Sequence, residues 1–209
     1  MSEASATLHE PFESATRQRE ALTFGVWLFL ASELLLFAGM FLGYAVYRHD
    51  HPSAFAEAGR HVNLLFGTIN TALLMTSSLS LSVASRAIDR DKPGLSEIGV
   101  WITLGLGLLF LIVKGLEYRE DLDEHLWPGA TFALHAPAAR IFFGFYWTMT
   151  FVHACHMTIG LGLLSRLVWL ARRGRLRANN DSVEATTLYW HLVDIIWALV
   201  FACLYLVGR

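Results

Sequence analysis

Glu33 stands in the middle of an apolar run, Phe24–Tyr47, that is long enough to cross a bilayer. An ionised side chain at the centre of a membrane helix costs about 2.5 to 3.5 kcal/mol on insertion scales, so such a group is expected to have a partner or to face other protein. Removal from water favours the neutral form of a carboxyl, and Glu33 is expected to be able to hold its proton. His153 and His156 lie three residues apart in another apolar run, a spacing that puts both on one helix face. Neutral imidazoles bind zinc, copper or iron. A packed, hydrogen-bonded pair at a helix contact is the preferred reading, because the chain has no His-Glu-x-x-His and no Cys-x-x-Cys. A di-iron bundle needs two Glu-x-x-His motifs on separate helices, and that arrangement is absent. His191 and Asp194 repeat the three-residue spacing in the last apolar run, where a charge-assisted hydrogen bond would stabilise both. A contact with a partner subunit or a proton-related role are the alternatives there. Lys114 is close enough to the end of its run to extend its ammonium to the interface. Glu117 is then interfacial as well. Tyr189 and Trp190, after Glu184, read as interface anchors.

The elements that must carry these groups are helices. Five runs are long and apolar enough to span: about Leu22–Tyr47, Val62–Ser85, Ile98–Leu116, Ile141–Leu170 and Ala185–Val207, against about 20 residues needed. None alternates with period two, which excludes a barrel. The fold class is all-α: a polytopic membrane protein with a five-transmembrane-helix bundle over residues 22–209, preceded by a polar tail at 1–21. The 209 residues are 55% hydrophobic and only 16% charged, where soluble domains average about 25% charged. The net charge of −2 gives no nucleic-acid signal. Cys155 and Cys203 both lie in apolar runs and read as small core hydrophobes rather than a disulfide. The second run holds nine Ser, Thr or Asn residues between Thr68 and Ser85. Small hydroxyl residues favour close helix contacts, so this helix is expected to be surrounded by protein. Gly39-x-x-x-Gly43 and Gly160-x-Gly162 are weaker packing signals.

Lys and Arg set the orientation. Arg17, Arg19, Arg86, Arg90, Lys92, Arg166, Arg172, Arg173, Arg175 and Arg177 fall on one side. Arg48, Arg60, Arg119, Arg140 and Arg209 fall on the other. The positive-inside rule puts the N-terminus in the cytoplasm. The acidic stretch Glu117–Glu124 then faces outward as a solvated loop. The chain has no phosphate loop, dinucleotide fingerprint or nucleophile elbow. Five spans without a paired repeat do not make an inverted-repeat transporter.

The string Tyr189-Trp190-His191-Leu192-Val193-Asp194-Ile195-Ile196-Trp197 closely resembles the Y-W-H-F-V-D-x-x-W signature of the last helix of haem–copper oxidase subunit III. Gly25-Val26-Trp27-Leu28-Phe29-Leu30-Ala31-Ser32-Glu33 resembles that family's W-x-F-I-x-S-E helix, with Glu33 on its membrane-embedded glutamate. Asn70-Thr71-Ala72-Leu73-Leu74-Met75-Thr76-Ser77-Ser78 is similar to N-T-x-x-L-x-x-S-S, and Glu117-Tyr118 falls on the family's E-Y. His153-Ala154-Cys155-His156 is similar to H-G-x-H, with Ala154 in place of the glycine, and Glu184 falls on the acid before Y-W-H. The motifs follow the family's order over about Phe24–Val207. The longer members have seven helices; this chain begins at the third and resembles the five-helix bacterial forms. Its missing pair removes one wall of the lipid-lined cleft of the longer members.

The resemblance implies an accessory subunit without a redox centre. Haem and copper are expected in partner subunits, with none in this chain. The implied partners are oxidase subunits I and II and membrane lipids, in the inner (plasma) membrane of a bacterium. The implied role is to flank subunit I and to support proton uptake and enzyme lifetime. The equivalent of Glu33 reacts with hydrophobic carbodiimide in the family. A cytochrome c oxidase, a quinol oxidase and a nitric-oxide-reductase-associated protein all fit. A stand-alone membrane metalloenzyme built on His153, His156, His191 and the acids is the alternative from a different class.

Overall fold

The computed structural model describes residues 15–90, 92–134, 137–173 and 181–206. Six helices follow in order: α1 (Ala15–Asp50), α2 (Pro52–Arg60), α3 (Leu64–Asp89), α4 (Pro93–Asp123), α5 (Pro137–Arg172) and α6 (Asp181–Leu204). All but α2 contain a stretch long and apolar enough to cross a membrane. Proline opens α2 and α4 at their first turn, where its missing N–H costs nothing. Asn63 caps α3 by accepting a hydrogen bond from the Leu65 amide at 3.1 Å, which satisfies one of the free donors of the first turn. At 36 residues each, α1 and α5 are about 54 Å long at 1.5 Å per residue. They exceed a hydrocarbon core of about 30 Å, so their ends project from it.

α3 and α4 form an antiparallel hairpin. α4 packs on α5, α5 on α6, and α6 back on α3, which closes a four-helix bundle. α1 lies outside it, against α5 and α6. Its buried hydrophobics are Leu30, Phe37 and Tyr44, seven residues apart, which is a narrow seam of coiled-coil type. The rest of α1 presents Phe24, Leu35 and Leu42 outward, as a helix in lipid should.

The structure departs from the sequence expectations at α2, at Tyr189 and Trp190, and at Cys155, which is exposed rather than in the core. The stretch 48–61 is not only a polar break: α2 forms in it and buries Phe55 against Phe142 at 5.5 Å between ring centroids. α1 begins at Ala15, inside the expected tail; residues 1–14, and the charges Arg175, Arg177 and Arg209, lie outside the described residues. This chain alone covers α3 only in part, since Leu65, Ile69, Met75, Leu79 and Val83 are exposed on it. Four of its hydroxyls bond their own helix, Thr68 to the Leu64 carbonyl, Thr71 to Gly67, Thr76 to Ala72 and Ser82 to Ser78, while Ser80 donates to the Gly99 carbonyl of α4 at 3.0 Å. A hydroxyl satisfied four residues back needs no neighbouring helix. Tyr189 and Trp190 are buried rather than interfacial, because α6 starts at Asp181 and carries them two turns inward. Cys155 is exposed and Cys203 half-buried; both are free.

Of the glycines in the two small-residue motifs, a Cβ on Gly160 would meet the Trp190 ring at 3.0 Å and one on Gly43 would meet Phe145 at 3.4 Å. Gly39 and Gly162 meet open space. A Cβ on Gly99 would stand 2.7 Å from the Ala84 Cβ and 3.1 Å from the Ser80 carbonyl oxygen, where α4 crosses α3. We expect Gly99→Leu to lower stability by about 1–3 kcal/mol through overpacking. Gly105, with nothing within 4 Å, should accept alanine with a gain of up to about 1 kcal/mol from helix propensity. Unfolding of the purified chain in mixed micelles, followed by circular dichroism, separates the two.

Candidate functional site: three polar centres inside the bundle

The first centre joins α1 to α5. Glu33 Oε2 lies 2.6 Å from His156 Nε2. His156 Nδ1 lies 2.7 Å from the Val152 carbonyl oxygen, an acceptor only, so Nδ1 carries a proton. Glu33 and Nε2 then share one further proton, and the pair is neutral overall whichever atom holds it. Phe37 packs edge-on to the imidazole at 5.3 Å, and Tyr189 Oη donates to the His156 carbonyl at 3.1 Å. The Glu33 side chain retains 17% of its exposure and is less enclosed than the other two centres' carboxyls.

His153 shares the helix but not these partners. It is buried between Phe110 of α4 and Trp197 of α6, with centroids at 5.5 and 5.0 Å. Neither of its ring nitrogens has a hydrogen-bond partner among the described residues. Spacing put both imidazoles on one face; α1 takes one and the bundle core takes the other.

The second centre lies between α3 and α6, and it overturns the expected His191–Asp194 pair. His191 Nδ1 is 2.6 Å from Ser78 Oγ, and Nε2 is 3.3 Å from Ser82 Oγ. Asp194 is buried, and its carboxylate oxygens have no hydrogen bond of good geometry. Ser78 Oγ lies against the imidazole and is also near the Asp194 carboxyl, so it stands between the two side chains. Serines four residues apart on α3 reach the ring more directly than an aspartate on its own helix. Glu184, at the start of α6, is exposed beside Leu22 and Trp27 of α1 and belongs to none of the centres.

The third centre is the most enclosed. Lys114 and Glu117 are 2% and 0% exposed, and Asp121 is 3% exposed. The expected interfacial Lys114, interfacial Glu117 and solvated loop at 117–124 are therefore corrected: α4 runs on to Asp123 and turns these side chains toward α5 and α6. Lys114 Nζ donates to Glu117 Oε2 at 3.0 Å, to Tyr146 Oη at 3.0 Å and to Tyr205 Oη at 2.8 Å. Tyr205 Oη donates to Glu117 Oε1 at 2.8 Å. Tyr146 Oη lies 2.9 Å from Glu117 Oε1 and 2.6 Å from Asp121 Oδ2. Sequence reasoning did not single out Asp121, Tyr146 or Tyr205. The spacing 114, 117, 121 is a helix stripe of one base and two acids, and that was the available signal.

Chemically, these centres cross-link helices through side-chain hydrogen bonds. Among the described residues no three His, Cys, Asp or Glu side chains converge in a metal-binding group. His156 and His191 are each engaged by separate partners and do not converge on a common point.

Comparison with known proteins agrees with this architecture. The family model for cytochrome c oxidase subunit III matches residues 5–209. Cytochrome c oxidase subunit 3 of Synechocystis is 35% identical over 88% of this chain and 74% of its own length. The subunit of the same name from Thermostichus vulcanus is 33% identical over 88% and 87%. Cytochrome bo(3) ubiquinol oxidase subunit 3 of Pseudomonas aeruginosa is 29% identical over 88% and 84%. With almost its whole length matched and five helices able to span a membrane, the chain belongs to the cytochrome c oxidase subunit III family, the accessory subunits of haem–copper oxidases.

Proposed function

We propose that the chain flanks subunit I of a respiratory haem–copper oxidase in a bacterial plasma membrane, contacts subunit II and lipid, and supports proton uptake and the lifetime of the complex. The observation that carries this reading is the family match over residues 5–209. Its polar centres support it, because their groups are bonded to one another across helices, as in a scaffold. The N-terminus is cytoplasmic in this reading, on the excess of Lys and Arg at that end of the helices. Haem and copper then reside in the partners.

The test is isolation of the intact complex through a tag on this chain. A haem-bearing subunit should co-purify in equal amount, and the chain stripped from it should be free of bound metal. A separated chain that keeps stoichiometric iron, zinc or copper and turns over a substrate would overturn the proposal. A second expectation concerns Glu33, which is less enclosed than Glu117 and Asp194. A hydrophobic carbodiimide should label Glu33 first, with a several-fold loss of labelling in Glu33→Gln, read by peptide mass spectrometry. Equal labelling of that variant would show that another carboxyl reacts.

A further inference from the structure

The third centre contains more hydrogen-bonded contacts than its five polar groups have protons for when both acids are ionised. The contacts are the three of Lys114, the one from Tyr205 to Glu117, and the two of Tyr146 with Glu117 and with Asp121. Each needs its own proton. An ammonium supplies three and each phenol one, one short of the six contacts. The shortfall falls on Tyr146, whose single proton cannot serve two carboxylates at 2.9 and 2.6 Å. Charge gives the same answer independently. One lysine facing two carboxylates leaves a net negative charge among side chains that are 0–3% exposed, and an uncompensated buried charge is strongly unfavourable.

We propose that Asp121 is a neutral carboxylic acid, so that this cluster is a proton-binding site in which Asp121 donates to Tyr146 Oη and Tyr146 in turn donates to Glu117. Glu117 is the acid that stays ionised, because it accepts from the ammonium and from two phenols. Among the described residues Asp121 has Tyr146 alone as a side-chain hydrogen-bond partner. The charged and titratable groups around Asp121 are Lys114, Glu117 and Glu120 on its own helix and Tyr146 on α5; from the end of α6, Tyr205 reaches the cluster through Lys114 and Glu117. Only Lys114 is basic, and its three donors are already taken. Asp121 lies in the last turn of α4, next to the exposed Glu120 and Asp123, which gives its proton a short route to water. Loss of that proton would set Tyr146 between two carboxylates and break one of its two contacts, loosening α4 from α5.

The test is infrared spectroscopy of the full chain in lipid nanodiscs, with aspartate carboxyls isotopically labelled. Asp194→Asn is the parent, since Asp194 is the other buried aspartate among the described residues. The parent should show one protonated-acid carbonyl band that moves on aspartate labelling, and Asp121→Asn should remove it. The amide of that variant can still donate to Tyr146, so the fold should persist. Tyr146→Phe gives a second readout: with its acceptor gone, the acid band should shift to higher frequency. Aspartate labelling that moves only carboxylate bands, an acid band that survives Asp121→Asn, or one unmoved by Tyr146→Phe would each overturn the proposal.

Discussion

Lys114→Met should destabilise the chain by about 3–5 kcal/mol at neutral pH, the range for removing one partner of a buried ion pair. Methionine is unbranched and only one atom shorter than lysine, so packing along the stem changes little. What is lost is the only cation of the cluster. Glu117, fully buried, would keep two phenol donors and no counter-charge. Tyr146 and Tyr205 would each lose the ammonium they accept from. The ammonium also lies 4.6–4.7 Å from the centroids of the Tyr146 and Tyr118 rings, a favourable position over their π faces. Unfolding in mixed micelles gives the free energy. The double variant Lys114→Met/Glu117→Met should lose less than the single one, because replacing both members of a buried pair by apolar side chains is often neutral or stabilising. A lysine that merely extended to the interface would behave as a surface residue, within about 0.5 kcal/mol of the parent. That outcome, or equal losses in the single and double variants, would contradict the geometry.

The difference between Lys114 extended to the interface and Lys114 at the hub of a network shows which part of this molecule is legible in sequence. Apolar run length located all five spans, because the bilayer sets that length from outside the protein. Hydropathy carries no information on where a helix stops once its side chains can be satisfied by neighbours. α4 therefore continues through Glu117 and Asp121 to Asp123, where charge suggested a loop. Spacing within one helix said which groups share a face, but not which helix faces them. Hence Glu33 with His156 and His191 with Ser78 are pairs across 123 and 113 residues of chain, and neither is implied by local sequence. The expected pair of His191 with Asp194 fails for the same reason: α3 competes for the imidazole and wins with two hydroxyls. Family resemblance marked Glu33, Glu117, His153, His156, His191 and Asp194 without saying what any of them touches. Tyr146 and Tyr205 fall outside the matched motifs, and they complete the most enclosed site.

Trp190→Ala should cost about 3–5 kcal/mol, the range for emptying a buried aromatic position. In a membrane the loss is one of packing rather than of transfer from water, since lipid tails are as apolar as the bundle interior. The packing here is specific. Trp190 is fully buried, and its ring reaches to 2.7 Å from where a Cβ on Gly107 would stand and to 3.0 Å at Gly160. One indole thus fills the space that two glycines leave on α4 and α5, while its Nε1 donates to Ser77 of α3 at 3.1 Å. Four helices meet around it. Ser77 keeps its own bond to the Leu74 carbonyl at 2.8 Å, so the cavity dominates the cost and the lost hydrogen bond adds about 0.5–1.5 kcal/mol. Trp190→Phe should accordingly lose less than Trp190→Ala. The sharper test is Gly107→Leu. In the parent it should destabilise by about 1–3 kcal/mol through collision with the indole and Leu161. In the Trp190→Ala background the same leucine should restore part of the lost stability, because it grows into the vacated volume. A substitution whose sign reverses with the state of residue 190 identifies a shared space. Equal losses in both backgrounds would mean that Gly107 and Trp190 do not pack on one another.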